Sequence, residues 1–129
     1  MVGIVFALLV MGSDLNVIDA DSFTFRGHYY RLYNIDAPQG GQTARCNSEI
    51  AQSQDTAAYV RARIASAGAV DVRPAFDPRG SGIWPHDRAR ARLARIYVDG
   101  QDLSEILIAE GRAAQMDIRT EHDWCRNSR

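Results

Sequence analysis

Three aspartates stand near the ends of predicted strands in the first third of the chain: Asp19, Asp21 and Asp36. Asp19 and Asp21 are two residues apart, so on a continuous strand their side chains point to the same face. Asp36 lies at the end of the third predicted strand, and this strand can lie next to the first one in the sheet. Three convergent carboxylates repel one another unless a cation lies between them, and all-oxygen ligation suits Ca²⁺ or Mg²⁺. The alternative interpretation is that these aspartates are turn residues that hydrogen-bond their own backbone.

Arginines form the second group of residues that could do chemistry. Arg31 lies in the middle of a predicted strand, where a guanidinium pairs with a nearby carboxylate, binds a phosphate or extends along an exposed face. Arg88, Arg90 and Arg92 are spaced by two residues and would line one face of a strand. Such a basic stripe follows a nucleic-acid backbone in some proteins and protects an exposed sheet edge in others.

Cys46 and Cys125 are the two cysteines of the chain. A bond between them would close a loop of about 80 residues and stabilise the fold by about 4–5 kcal/mol in the loop-entropy model. It would also indicate an oxidising compartment. Two unbonded thiols are the first alternative, and a zinc site that includes His122 is the second.

The first half of the chain predicts three strands followed by a helix. Apolar and polar side chains alternate within residues 15–36, with a turn signal at Arg26-Gly27, which is typical of a three-stranded meander. Residues 47–68 carry apolar side chains at helical spacing, with Asn47 as the N-cap and Gly68 at the end.

The second half predicts two strands and a second helix. The strands cover 70–76 and 93–98, with a Pro/Gly-rich loop at 77–85 between them. Asp102 and Glu105 have the spacing of a capping box at the start of the helix. The order β-β-β-α-β-β-α predicts an α+β, mainly β fold, a five-stranded OB-fold barrel with two to three helices.

Length and charge limit the class of protein. With 129 residues, we expect a single domain over residues 13–129. The net charge of −1 excludes a protein that coats DNA through bulk positive charge. Residues 1–12 form an apolar N-terminal segment, too short to span a bilayer, with the length of a signal-peptide core but without a positive start. We therefore expect a monomer without a membrane span, periplasmic or secreted, or cytoplasmic if the segment is not a signal.

Four segments of the chain resemble the staphylococcal-nuclease (thermonuclease) family in order and spacing. They are VIDADSFTF at 17–25, YRLYNIDAPQ at 30–39, DRARARLARIYVDG at 87–100 and LSEILIAEGRA at 103–113. The resemblance covers most of the predicted domain. The pattern formed by Cys46 and Trp124-Cys125 is also similar to a rhizobial branch of the family named for succinoglycan biosynthesis.

The resemblance implies an OB-fold that hydrolyses DNA or RNA phosphodiesters with Ca²⁺. By position, Asp21 and Asp36 match the family's calcium-ligand carboxylates, and Asp19 matches a nearby acidic position. Ala37 matches a ligand that acts through its backbone carbonyl. Arg31 matches the arginine that binds the scissile phosphate. Arg88 matches a basic residue of the family near the 5′ phosphate. Arg90 and Arg92 match no family position and are expected to bind phosphate or nucleic acid only as members of the basic stripe.

Two departures from the family pattern affect catalysis. Gln39 replaces the family's glutamate, which the resemblance assigns as the general base or as the residue that positions the attacking water, and an amide cannot accept a proton at neutral pH. Ala91 replaces the second phosphate-binding arginine. Because one charge-stabilising donor is worth about 10²–10³ in rate, we expect a weak nuclease. The alternatives are an inactive binding module for nucleic acid or another anionic ligand, and a structural periplasmic protein linked to exopolysaccharide production.

Overall fold

Residues 14–75, 92–117 and 119–126 are described by the computed structural model of this chain. The apolar segment 1–12 of the sequence analysis lies outside these residues. Within the described ranges, no helix is both long and apolar enough to cross a membrane.

The first three strands form the predicted antiparallel meander. They are β1 (Leu15–Val17), β2 (Ser22–Phe25) and β3 (His28–Leu32). Arg26 and Gly27 join β2 to β3, and both have positive φ angles, of 52° and 83°. This two-residue turn matches the twist of the strands it connects, which is why the Arg-Gly signal indicated a hairpin.

The sheet continues through a parallel pairing between β3 and a strand far along the chain, β6 (Arg92–Val98). Strand β6 also pairs with β5 (Val70–Pro74) and with β7 (Gln101–Asp102), both antiparallel. Within the described residues the order is β1-β2-β3-β6-β5, with β7 beside β6, and this sheet curls into a half-barrel. The predicted α+β, mainly β class is confirmed, and the architecture is compatible with an OB-fold-like barrel.

Helix α1 (Asn47–Ser66) covers the predicted range but begins one residue earlier than expected. Asn47 was predicted as the N-cap, and this was wrong, because the residue is already helical. The cap is Cys46, whose backbone is extended and whose sulfur accepts the Glu49 N–H at 3.4 Å. The helix ends at Ser66 with Ala67 as its C-cap, one residue before the predicted cap Gly68.

Helix α2 (Leu103–Ala109) is capped by Asp102, as predicted. The Asp102 carboxylate accepts the Ser104 N–H at 2.9 Å, while Glu105 is exposed in the first turn. Gly111, with a φ of 73°, then reverses the chain. This reversal lets the Arg112 N–H bond the Leu107 carbonyl at 2.9 Å, which closes the end of the helix.

A second, two-stranded sheet was not predicted. It pairs β4 (Ile35–Asp36) with β8 (Ala114–Gln115), antiparallel, with Asp36 opposite Ala114. Two-residue strands leave no periodicity for a sequence pattern to show. This small sheet brings the chain that follows α2 alongside Asp36.

The core lies between the half-barrel and the two helices. The sheet contributes Phe23 and Ile96, and α2 contributes Leu103 and Leu107, all with at most 2% exposure. Burying each such side chain is worth about 1.5–3 kcal/mol. Because Ala20, Phe23, Ile35 and Ala37 all belong to this cluster, the core fixes the backbone on both sides of the candidate carboxylates.

Candidate functional site

A buried ion pair between Asp21 and Arg31 lies at the β2–β3 hairpin. Asp21 directly precedes β2, and its neighbour Ser22 is the register partner of Arg31 on β3. Arg31 Nη2 donates to Asp21 Oδ2 at 3.1 Å, with the two side chains 23% and 5% exposed. The Leu32 N–H bonds the Asp21 carbonyl at 2.8 Å, so both the backbone and the side chain of Asp21 are held by β3.

Asp19 lies on the other side of Asp21. Its Oδ1 accepts the Asp21 N–H at 3.3 Å, which is the local turn bond of the alternative interpretation. Ser22 Oγ donates to Asp21 Oδ1 at 3.3 Å, and the Tyr29 hydroxyl donates to Ser22 Oγ at 3.3 Å. Asp19 is therefore both a turn residue and a second carboxylate next to Asp21.

The electrostatic environment of Asp21 combines burial, a second carboxylate and the guanidinium of Arg31. Burial raises the pKa of Asp21 from 3.8 to about 6, because a charged carboxylate loses hydration there. Arg31 acts in the opposite direction and lowers this pKa, while Asp19 raises it further. With both acids ionised, their two negative charges lie near two arginines, because Arg61 also donates to the Val17 and Ile18 carbonyls just before Asp19, at 3.1 and 3.4 Å.

Asp36, the third predicted carboxylate, is bonded by the C-terminal part of the chain. The His122 N–H donates to Asp36 Oδ2 at 2.7 Å, and Trp124 Nε1 donates to Asp36 Oδ1 at 3.5 Å. Both carboxylate oxygens therefore face protein donors from residues 86 and 88 positions away in sequence.

Gln39 faces the backbone carbonyl that the sequence analysis assigned as a ligand. Its Nε2 donates to the Ala37 carbonyl at 3.1 Å, so the side-chain amide covers this oxygen. The backbone of Gln39 is itself held by Glu49 of α1, whose Oε2 accepts the Gln39 N–H at 2.8 Å.

Glu49 is a residue that the sequence analysis missed. It is 4% exposed, and its second oxygen, Oε1, accepts the Arg45 N–H at 2.9 Å. A glutamate three residues after an N-cap is a capping-box signal. The signal was hidden because the cap was assigned to Asn47, which would put Ile50 at the third helical position.

The donor types at the site suit calcium, although they do not converge as a three-carboxylate cluster. Among the residues that the structure describes, no group of three or more His, Cys, Asp or Glu side chains could hold one metal ion. Asp21 and Asp19 together offer the oxygen ligands that a hard cation prefers. Each oxygen of Asp21 and of Asp36 already accepts one hydrogen bond, as does the Ala37 carbonyl, so a bound cation would share these oxygens with the present donors or displace the donors.

The predicted basic stripe is only partly visible. Arg92 is exposed at the start of β6, opposite Tyr30 of β3. Arg88, Arg90 and Ala91 lie outside the described residues.

The two cysteines form a disulfide, which decides among the three alternatives of the sequence analysis. The bond joins Cys46, the N-cap of α1, to Cys125, across 79 positions of sequence. His122 does not join the cysteines in a metal site; its ring packs against Trp124 with the centroids 4.2 Å apart.

We compared the chain with models of known protein families and with curated proteins, and neither comparison gives a match.

Proposed function

We propose that this chain is a thermonuclease-like hydrolase that cleaves DNA or RNA phosphodiesters slowly and depends on Ca²⁺. The observation that carries the proposal is the buried Asp21 carboxylate, fixed 3.1 Å from Arg31 and next to Asp19 on a curled, OB-fold-like sheet. The four sequence segments that resemble the nuclease family include these three residues. The disulfide supports a periplasmic or secreted location, because such bonds persist in oxidising compartments.

Arg31 would bind the phosphate of the substrate. A guanidinium is planar and offers its donors in a fork that matches two phosphate oxygens. The bond to Asp21 and the position on β3 orient this fork before substrate arrives. Pre-orientation of this kind lets the positive charge stabilise charge that develops on the phosphate, without reorganisation during the reaction.

Asp21 would hold the calcium ion, joined by Asp36 and the Ala37 carbonyl when their donors move away. Bound calcium would polarise the phosphodiester and offset its negative charge. Asp19 supports this role by adding negative charge next to Asp21 and by fixing the turn through the Asp21 N–H.

Gln39 would orient the attacking water but cannot take its proton. The amide offers one acceptor oxygen and two N–H donors, and none of these is basic at neutral pH. General-base assistance contributes about 10²–10⁴ in rate, so its absence is the reason for expecting slow turnover.

A second candidate is an inactive module that binds nucleic acid or another anionic ligand. It is favoured by the hydrogen bond from Gln39 to the Ala37 carbonyl, which covers a ligand oxygen with an amide that cannot act as a base. In this alternative, Arg31 still binds phosphate, and no bond is broken.

Cleavage of single-stranded DNA by the purified protein, in Ca²⁺ and in EDTA, tests the proposal. We expect Ca²⁺-dependent cleavage that falls by about 10²-fold or more in Asp36→Ala. Asp71→Ala is the matched control, since Asp71 is an exposed aspartate on β5 that pairs with Arg73 away from the site. Cleavage unchanged in Asp36→Ala would contradict the proposal. Absent cleavage with retained DNA binding, measured by fluorescence anisotropy, would favour the binding module.

A further inference from the structure

The C-terminal segment, residues 121–126, lies against Asp36 and supplies both of its hydrogen-bond donors. The donors are a backbone N–H, from His122, and a side-chain N–H, from Trp124. Neither is a charged group that would neutralise the carboxylate, so the segment covers Asp36 without offsetting its charge.

Few contacts hold this segment in place. Trp124 is buried, with 8% exposure, and its carbonyl accepts Gln52 Nε2 at 2.8 Å. Glu121 pairs with Arg45, but both side chains are exposed, and exposed pairs contribute little. Residues 119–123 are exposed and belong to no helix or strand. The disulfide to the N-cap of α1 is thus the one covalent anchor of the segment among the described residues.

We propose that the Cys46–Cys125 disulfide is a redox latch that holds the C-terminal segment over Asp36, and that its reduction uncovers the carboxylate for a divalent cation. This inference rests on the proposed function, because it assigns Asp36 as a cation ligand. Cys46 and Cys125 are both half-buried, so a reductant can approach the bond.

The chemical step is thiol–disulfide exchange with a dithiol, either a dithiol oxidoreductase or a small dithiol reagent. One thiolate attacks a sulfur of the bond, forms a mixed disulfide and releases the other cysteine as a thiolate. The second thiol of the reductant then displaces the first cysteine. Two electrons and two protons pass to Cys46 and Cys125, which become thiols, and the reductant becomes a disulfide.

Reduction of the disulfide exposes the Asp36 carboxylate indirectly, by releasing the C-terminal segment that lies against it. Without the covalent anchor, the segment keeps the buried Trp124, the Gln52 bond and the exposed Arg45–Glu121 pair among its described contacts, so its release costs less free energy and the fraction of molecules with Asp36 uncovered increases. Apparent affinity for a ligand scales with the fraction of molecules in the competent state. The reduced protein should therefore bind Ca²⁺ more tightly and cleave faster than the oxidised protein.

The test uses the full chain, oxidised, reduced with dithiothreitol, and as Cys46→Ser with Cys125→Ser. Hydrogen–deuterium exchange over residues 121–126 measures release of the segment, and calorimetric titration with Ca²⁺ measures affinity. We expect both exchange and affinity to rise by about tenfold or more in the reduced and double-serine proteins. Glu105→Gln, at an exposed glutamate in the first turn of α2 and with the disulfide intact, is the matched control and should behave as the oxidised protein.

Three outcomes would overturn the latch, and they separate it from the proposed function. Unchanged exchange on reduction would show that the disulfide does not hold the segment. Increased exchange with equal Ca²⁺ affinity in both forms would reject the gating of Asp36 but keep the calcium site. Absence of Ca²⁺ binding in either form would remove the calcium site itself, and with it the ligand that the latch controls.

A second variant covers the case in which loss of the disulfide unfolds the protein, which circular dichroism would detect. Trp124→Phe keeps the bond and a buried ring but removes the Nε1–H that faces Asp36 Oδ1. Because the disulfide and the His122 N–H remain, the latch predicts that residues 121–126 of this oxidised variant stay as protected from exchange as in the oxidised wild type. Release of the segment in the oxidised variant would show that Trp124, and not the disulfide, holds it, and would overturn the latch.

Discussion

At the scale of single residues, the properties of the candidate site depend on how the negative charge of Asp21 is compensated. Arg31 offsets part of its charge, Asp19 adds to it, and burial removes the water that would otherwise stabilise the ionised carboxylate. A buried acid in this situation destabilises the ion-free fold and favours any bound cation. The same arrangement makes both stability and cation affinity depend on pH.

Asp21 should make the ion-free protein less stable as the pH rises. Its pKa is about 6 in the fold and 3.8 ordinarily, so between these values the folded state binds more protons. The stabilising contribution of protonated Asp21 is present below pH 4 and lost as the pH rises through about 6. We expect Asp21→Asn, in EDTA at pH 7, to gain on the order of 2 kcal/mol in free energy of unfolding.

Urea denaturation at pH 4 and pH 7 checks this expectation. The gain in Asp21→Asn should be small at pH 4, where the wild-type side chain is already protonated. Addition of Ca²⁺ should stabilise the wild type and leave the variant unchanged, because ligand binding to the folded state shifts the unfolding equilibrium. A variant less stable than wild type at pH 7 would contradict the electrostatic account of Asp21.

Gln39→Glu should increase Ca²⁺-dependent cleavage. A carboxylate can act as a general base, and it cannot donate to the Ala37 carbonyl, so that oxygen also loses its present donor. We expect an increase of about 10²-fold in cleavage rate. The control is Gln42→Glu, which adds the same charge at an exposed position nearby. Equal rates in both variants would indicate that the missing base is not what limits the reaction.

At the scale of elements, two connections position the site: the β2–β3 hairpin, which carries Asp21 and Arg31, and the start of α1, which holds the loop after Asp36. Glu49 is central to the second connection, because its two oxygens accept the Gln39 and Arg45 N–H groups. This buried carboxylate fixes the loop through two backbone donors, and one of them is the N–H of the site residue Gln39.

Glu49→Gln should destabilise the fold and loosen this loop. An amide presents an NH₂ group to one of the two backbone N–H donors, which then remains unsatisfied in a buried position. The expected loss is about 1–3 kcal/mol in free energy of unfolding, measured by urea denaturation. Glu105→Gln, at an exposed glutamate in the first turn of α2, should change stability little. Similar effects of the two substitutions would argue against the structural role of Glu49.

The elements differ in how far the sequence could predict them. Alternating side chains and an Arg-Gly turn were enough to predict the β2–β3 hairpin, but for Arg31 the sequence left open a carboxylate partner, a phosphate or an exposed face, and the structure pairs it with Asp21. The β4–β8 sheet has strands of two residues, which carry no pattern. The contact of Asp36 with His122 joins residues 86 positions apart, and local sequence contains no information on such a pairing.

At the scale of the whole molecule, three distant links close the fold. They are the parallel β3–β6 pairing, the β4–β8 sheet and the disulfide. The disulfide reduces the conformational entropy of the unfolded chain, because it closes a loop of 79 positions. Reduction should therefore lower the free energy of unfolding by up to about 4–5 kcal/mol, as measured by urea denaturation with and without dithiothreitol. An identical unfolding transition in the two conditions would contradict this.

The sequence separation of the residues that each contact joins determines the order in which parts of the fold form. Asp21 and Arg31 are 10 positions apart within one hairpin, so their contact closes a short loop and is expected early in folding. The β4–β8 pairing and the cover over Asp36 connect the first third of the chain to its last residues, and long loops of this kind close late. A newly folding molecule therefore completes the Asp21 half of the site while Asp36 still faces water.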